Sequence, residues 1–267
     1  MMPMLRIAAY PFASSGNIRE NLSHLLTGMK LAAAHQVQLL VFHECALCGY
    51  PPVETPLDAV DESENERKEA LHILAEKCRE YRLHVLLGDV RTENGQRFNT
   101  VYWIASDGKI RPCYDKKALW GWDRDHFAPG QLPGLLTLEG IRIGVRVCFD
   151  VRFPELFRPF FRLQIPLCIL LMSDTTAQPD SERYALIAGH IRSRAAENVM
   201  TVLSVNSLSR NSGAPTAVFD QNGRIAAALE PGQEDLLCYD LSVPEVDFGM
   251  LGRMTCAREF MTEKNEE

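Results

Sequence analysis

The chain has 267 residues, 46% of them apolar and 24% charged, with a formal net charge of −7. That length and apolar share suffice for the core of one large α/β domain over residues 1–267, and they exclude a disordered or low-complexity chain. The acidic balance, with no run of lysine or arginine, argues against nucleic acid or an anionic membrane surface and leaves a small molecule as the expected partner.

The stretch Met1 to Phe12 lacks the basic start and apolar run of a signal peptide, and no run of about 18 apolar residues occurs anywhere, so a cytoplasmic protein is expected. Eight cysteines are scattered through the chain rather than packed into a small secreted scaffold, and read as reduced thiols. Cys45 and Cys48 have redox-motif spacing. With no second pair or histidine at metal-ligand spacing, they read as semi-buried loop thiols rather than a redox or zinc site.

In chain order, Leu5 to Tyr10 reads as a strand. A helix follows with Leu22, Leu25, Leu26, Met29 and Ala33 on one face, its start capped by Asn17 with Glu20 three residues on. Leu39 to Phe42 is a continuous apolar run of buried-strand type. A second amphipathic helix carries Leu71, Leu74, Ala75 and Cys78. Asn94-Gly95, Asp107-Gly108 and Asn222-Gly223 are hairpin turns beside strand-rich runs such as Val101 to Ile104 and Ala217 to Phe219. The apolar runs Ile143 to Val147 and Leu167 to Met172 also read as strands. A long helix spans Ser181 to Asn198, with Thr201 to Val205 a strand directly after it. Helix–strand alternation mixed with hairpins predicts stacked sheets with helices outside rather than a Rossmann fold. No repeat or Pro/Gly/Ser linker divides the chain, and the charged end Glu263 to Glu267 is expected to fray.

Cys148 closes the strand Ile143 to Val147 and leads into Phe149-Asp150-Val151-Arg152-Phe153-Pro154-Glu155. Proline suits a first helical turn but not the interior of a sheet, so the chain must turn sharply after the thiol, as at sites that mount a nucleophile. A free thiol near neutral pH is only slightly ionised and needs a base or a cation nearby. None of the seven histidines has a signature tying it to Cys148. Glu44 is better placed, following the buried run Leu39 to Phe42 where a Gly/Pro-rich loop opens; an apolar setting there raises a carboxyl pKa and makes it a competent base. Lys116 also stands at a strand end, ahead of Leu119-Trp120-Gly121-Trp122, where a fixed positive charge can steady an oxyanion.

These residues and their surroundings resemble the carbon–nitrogen hydrolase, or nitrilase, superfamily, and its amidase-like branch. Glu44 matches the glutamate position ahead of Gly49-Tyr50-Pro51. Tyr114-Asp115-Lys116-Lys117-Ala118-Leu119, followed by Phe127-Ala128-Pro129-Gly130, matches the lysine motif. Cys148 to Glu155 matches the nucleophile motif, and Arg194-Ala195-Ala196-Glu197-Asn198 with Asn206 matches the later helix and strand signature. The resemblance implies a four-layer α-β-β-α sandwich of two mixed sheets flanked by helices, in a homodimer or larger homo-oligomer. It implies catalytic roles for Glu44, Lys116 and Cys148, with the Phe149 amide at the oxyanion and no metal or organic cofactor. The expected reaction converts a small carboxamide to acid and ammonia through a thioester. Nitrile or N-carbamoyl hydrolysis, and a ligand-binding paralogue with weakened catalysis, remain as alternatives, as does a thiol oxidoreductase using Cys45 and Cys48.

Two positions depart from the family pattern. His43 stands where proline often precedes the glutamate and reads as a partly exposed loop histidine, and Asp123 takes the place of a second glutamate, one methylene shorter. For substrate contacts the sequence offers the polar stretch Ser173-Asp174-Thr175-Thr176. Asp174 could pair with a polar or cationic group or cap its loop, and Thr175 lies beside it. Arg152 could bind a carboxylate, although a structural salt bridge is the favoured expectation. Trp120 and Trp122 either line the pocket or cover the core.

Overall fold

The computed structural model describes residues 4–242 and 245–262; the expected fraying end at 263–267 lies outside them. The first half contains β1 (Met4–Ala9), α1 (Ile18–Ala34), β2 (Leu39–Val41), α2 (Leu57–Glu62), α3 (Glu64–Tyr81), β3 (His84–Glu93), β4 (Gln96–Ile104), β5 (Ile110–Asp115) and the single turn α4 (Asp123–His126). The second half contains β6 (Leu135–Leu138), β7 (Ile141–Val147), two 3₁₀ turns (Cys148–Arg152 and Pro154–Leu156), α5 (Arg158–Arg162), β8 (Leu167–Met172) and β9 (Thr175–Thr176). It continues with α6 (Ser181–Asn198), β10 (Thr201–Asn206), β11 (Asn211–Ser212), β12 (Ala217–Phe219), β13 (Ile225–Ala228), β14 (Leu237–Ser242) and α7 (Phe248–Thr262).

One six-stranded sheet runs β14-β1-β2-β3-β4-β5 and the other β6-β7-β8-β10-β12-β13. Read in those directions, both step through antiparallel, parallel, parallel, antiparallel and antiparallel pairs. The parallel pairs sit mid-sheet, where both faces are covered, which is why their strands read as unbroken apolar runs.

Alternation along each strand sorts the core into layers. Leu5, Ile7 and Ala9 of β1 meet Leu167, Ile169 and Leu171 of β8 in a cluster between the sheets. Ala8 of β1 faces outward onto Leu25 and Met29 of α1 and Leu74 of α3. Cys168, Leu170 and Met172 of β8 face Ile187, Ile191 and Ala195 of α6. The result is the four-layer α-β-β-α sandwich that the resemblance implies.

Local signals match the elements closely. The Asn17 side chain accepts from the amides of Arg19 and Glu20, while the Glu20 carboxylate turns to the Ser15 hydroxyl instead of closing a reciprocal box. Asn94 and Gly95 both take positive φ, 51° and 74°, as a two-residue hairpin between β3 and β4 requires. Among the described residues no helix is long and apolar enough to cross a membrane.

Candidate active site

Glu44 follows β2 and is held from both sheets. Its Oε1 accepts from Lys116 Nζ at 2.8 Å and from Asn99 Nδ2 at 2.7 Å. Its Oε2 accepts from the amide of Ser173, just after β8, at 2.9 Å. Gly88 on β3 makes room for this approach: a Cβ there would lie 2.4 Å from the His43 carbonyl and 2.5 Å from the Cys45 nitrogen. Lys116 follows β5, and its Nζ also donates to Asp123 Oδ2 at 2.8 Å. The side chains of Glu44, Lys116 and Asp123 have no solvent exposure.

Cys148 sits where β7 breaks into the 3₁₀ turn, with φ of 41° in the left-handed region. A non-glycine residue there carries strain of order 1–3 kcal/mol, and the surroundings hold it in place. Asp150 ties the turn down by accepting from the amides of Val147 and Ala118 and from the Tyr114 hydroxyl. Arg194 of α6 donates to the carbonyls of Val151 and Arg152. Phe153 is extended and Pro154 opens the next turn, as the restriction on residues before proline dictates. The Arg-Ala-Ala-Glu-Asn segment is thus a clamp on the turn that carries Cys148.

The thiol opens on a cavity of about 510 Å³ whose walls include Tyr50, Trp120, Phe149, Arg152, Asp174 and Thr175. That is the size of a small-molecule site.

Charge within the cluster is set by burial. Lys116 faces two carboxyl groups, those of Glu44 and Asp123. Burial raises the Glu44 pKa, with the Asp123 charge adding to the rise and Lys116 opposing it. Burial alone would lower Lys116, but Glu44 and its other neighbours lift it well above the ordinary lysine value. Burial, then the Glu44 charge, pushes the Cys148 thiol well up against the pull of Lys116. The resting cysteine is therefore a thiol beside a carboxylate of enhanced basicity.

The structure brings Glu44, Lys116 and Asp123 into direct contact and puts Cys148, Phe149, Asp174 and Thr175 around one cavity. Asp174 has its carboxylate taken by Arg183 of α6, at 2.7 and 3.0 Å, and so does not stand free for a cation. The favoured reading of Arg152 as a structural salt bridge does not hold: among the described residues no carboxylate pairs with it, and its guanidinium lies 5.9 Å from the Phe149 ring. The turn is already secured by Arg194, so Arg152 is not needed for that purpose. Trp120 lines the cavity, whereas Trp122 packs on the core beneath α1 and α3.

His43 is not a partly exposed loop residue. It is fully buried against the Phe12 ring, and burial pushes its pKa down to about 4, so it is neutral. Cys45 and Cys48 are likewise fully buried rather than semi-buried, and burial raises both pKa values, which suppresses the thiolate that disulfide exchange needs.

Asn99 and Tyr50 escaped the sequence reading. An asparagine inside the strand run Phe98 to Ile104 is the signal for the first, because a buried strand amide needs a partner. Tyr50 carried no such signal beyond its place in Gly49-Tyr50-Pro51. Among the described residues no cluster of three or more His, Cys, Asp or Glu side chains could hold a metal ion.

Residues 6–257 match the carbon-nitrogen hydrolase family, and the chain belongs to it. An (R)-stereoselective amidase from Pseudomonas sp. is 27% identical over 197 residues, covering 72% of this chain and 66% of that protein, just under two thirds of its length. A 2-oxoglutaramate amidase from Bacillus subtilis is 25% identical, covering 83% of this chain and 84% of that one. A mutant amidase from Nesterenkonia sp. AN1 in complex with butyramide shares the fold, with a TM-score of 0.80, 22% identity and coverage of 98% and 97%.

Proposed function

We propose that this protein hydrolyses small carboxamides to acid and ammonia, with Cys148 as nucleophile, Glu44 as general base and acid, and Lys116 as fixed electrostatic partner. One observation carries this reading: a buried ammonium bridges Glu44 and Asp123 at 2.8 Å each, beside a cysteine held in a left-handed turn. Glu44 takes the thiol proton as sulfur attacks the amide carbon. Lys116 and the Phe149 amide steady the tetrahedral oxygen. Glu44 returns the proton to the nitrogen, the C–N bond breaks, and ammonia leaves a thioester. Water then attacks, giving its proton to Glu44; the C–S bond breaks, the acid departs and Cys148 recovers its proton. No electron transfer or metal enters the balance.

Arg152 refines the substrate class. A half-buried guanidinium on the cavity wall with no carboxylate partner among the described residues suits an amide whose far end is acidic. The test is ammonia release from aliphatic amides, ω-amides of dicarboxylic acids, carbamoyl amino acids and nitriles, with Cys148→Ala and Arg152→Ala alongside. Cys148→Ala abolishes release, and Arg152→Ala raises KM for acid-bearing amides alone. Release that survives Cys148→Ala would refute the mechanism, and an equal effect on neutral amides would refute the role of Arg152.

A further inference from the structure

Asp123 has two carboxylate oxygens, and each receives one side-chain donor. Lys116 Nζ occupies Oδ2 at 2.8 Å, and the Tyr50 hydroxyl occupies Oδ1 at 2.7 Å. The indole N–H of Trp120 in turn donates to the Tyr50 oxygen at 2.9 Å. Donor direction along this chain is fixed by chemistry. An indole nitrogen only donates, an ionised carboxylate only accepts, and the tyrosine oxygen between them must accept from the first and donate to the second. Burial pushes the Tyr50 phenol well up, which keeps its proton in place.

The two ends of the chain lie in different surroundings. Asp123 is fully buried, whereas Trp120 is 46% exposed and forms part of the cavity wall together with Tyr50. The Tyr50 ring also lies 5.6 Å from Lys116 Nζ. A solvent-facing indole in a wall of the substrate cavity is therefore linked by two hydrogen bonds to the carboxylate that holds the buried ammonium.

We propose that Tyr50, oriented by Trp120, is a positioning residue for amide cleavage, acting through Asp123 to hold Lys116 where the acyl oxygen develops charge. Neither residue exchanges a proton with substrate. Their contribution is to fix the ammonium in the transition state, and charge-assisted hydrogen bonds strengthen one another around a buried ammonium. This inference rests on the proposed amide hydrolysis.

The test is a double-mutant cycle on Tyr50→Phe and Asp123→Asn, with Trp120→Phe added and thermal unfolding used to confirm folding. Two readouts are taken: kcat and KM on the best amide, and the rate at which iodoacetamide alkylates Cys148, followed by mass mapping of the peptide that carries it. Tyr50→Phe keeps the ring and removes only the hydroxyl, so kcat falls about 10- to 100-fold with KM within about twofold. Trp120→Phe lowers kcat about two- to fivefold. Because Tyr50 acts through Asp123, the double variant is no slower than Asp123→Asn alone. Losses that multiply in the double variant, or a change in KM without a change in kcat, overturn the proposal. Should Tyr50→Phe fail to fold, Trp120→Phe decides: a kcat loss at steady KM supports the proposal and unchanged kcat overturns it. A wild-type protein that releases ammonia from no amide would defeat the hydrolase reading, while the same non-additivity in Cys148 alkylation would still uphold the positioning role.

Discussion

Replacing Lys116 with methionine keeps most of the aliphatic stem and removes one charge. It leaves Glu44 and Asp123, neither with any exposed side-chain surface, facing the gap where each had lain 2.8 Å from the ammonium. Removing one partner of a buried ion pair costs about 3–5 kcal/mol, because the remaining charge is desolvated and uncompensated. For a chain of this size about 1 kcal/mol corresponds to roughly 2–4 °C, so Tm should fall by roughly 10 °C. The deficit also depends on pH. Burial already raises Glu44, and without the Lys116 charge that opposes the rise it retains a proton that the unfolded chain, with ordinary carboxyl groups titrating near 4, has already released. The folded variant then binds more protons than the unfolded one, and its stability falls as pH rises, so the deficit is larger at about pH 8 than at about pH 5. Thermal and urea unfolding of both proteins at the two pH values, followed by circular dichroism, measures this. A variant as stable as the wild type, or a deficit equal at both pH values, would refute the buried-bridge account.

Other outcomes follow from the same geometry. Buried His43 titrates at about 4 instead of 6.5, so between those values the folded chain binds fewer protons than the unfolded one. Stability present above the upper value is lost as pH falls toward the lower, by up to about 3 kcal/mol; His43→Asn should flatten that part of a urea-midpoint profile, and an unchanged slope contradicts the assignment. Gly88→Ala pushes a methyl into the backbone at 43–45 and, by displacing Glu44, should cut kcat/KM by about 100-fold. Gly189→Ala, with open space around its Cβ in α6, should leave the rate unchanged and serves as its control. Because burial raises Glu44, the acid limb of kcat/KM should lie above its ordinary value of 4.5 and vanish with the activity in Glu44→Gln; a limb below that value would argue against Glu44 as the base.

Much of this site was legible because its three principal residues each follow a strand. Glu44 and Cys148 stand at the ends of buried apolar strands, where sequence alone signals a side chain brought to a sheet edge, and Lys116 follows the half-exposed strand β5. The hairpins were legible for a similarly local reason: Asn-Gly pairs fit the positive φ of a tight turn. What stayed hidden depends on contacts between residues far apart in the chain. Tyr50 meets Asp123 and Asn99 meets Glu44 across 73 and 55 residues of chain, and no local pattern encodes such meetings. Gly88 sits inside the apolar run of β3, and its role appears only once the 43–45 backbone is seen pressed against it. His43 and the Cys45–Cys48 pair misled in the same direction. Polar residues near a Gly/Pro-rich loop suggest exposure, but that loop packs into the core with α1 and α3 and is buried. Arg152 ran the other way, since a motif arginine suggests a salt bridge, while Arg194 performs the anchoring from α6.

The most direct measurement is intact-mass capture of the acyl enzyme. Wild-type protein is mixed with a turned-over amide, quenched in acid within a single turnover, digested and mapped. The account predicts a mass gain equal to the amide less ammonia, confined to the peptide carrying Cys148 and released by hydroxylamine as a thioester would be. Ammonia release without any such adduct under single-turnover conditions, or an adduct on another cysteine while Cys148 stays free, would contradict it.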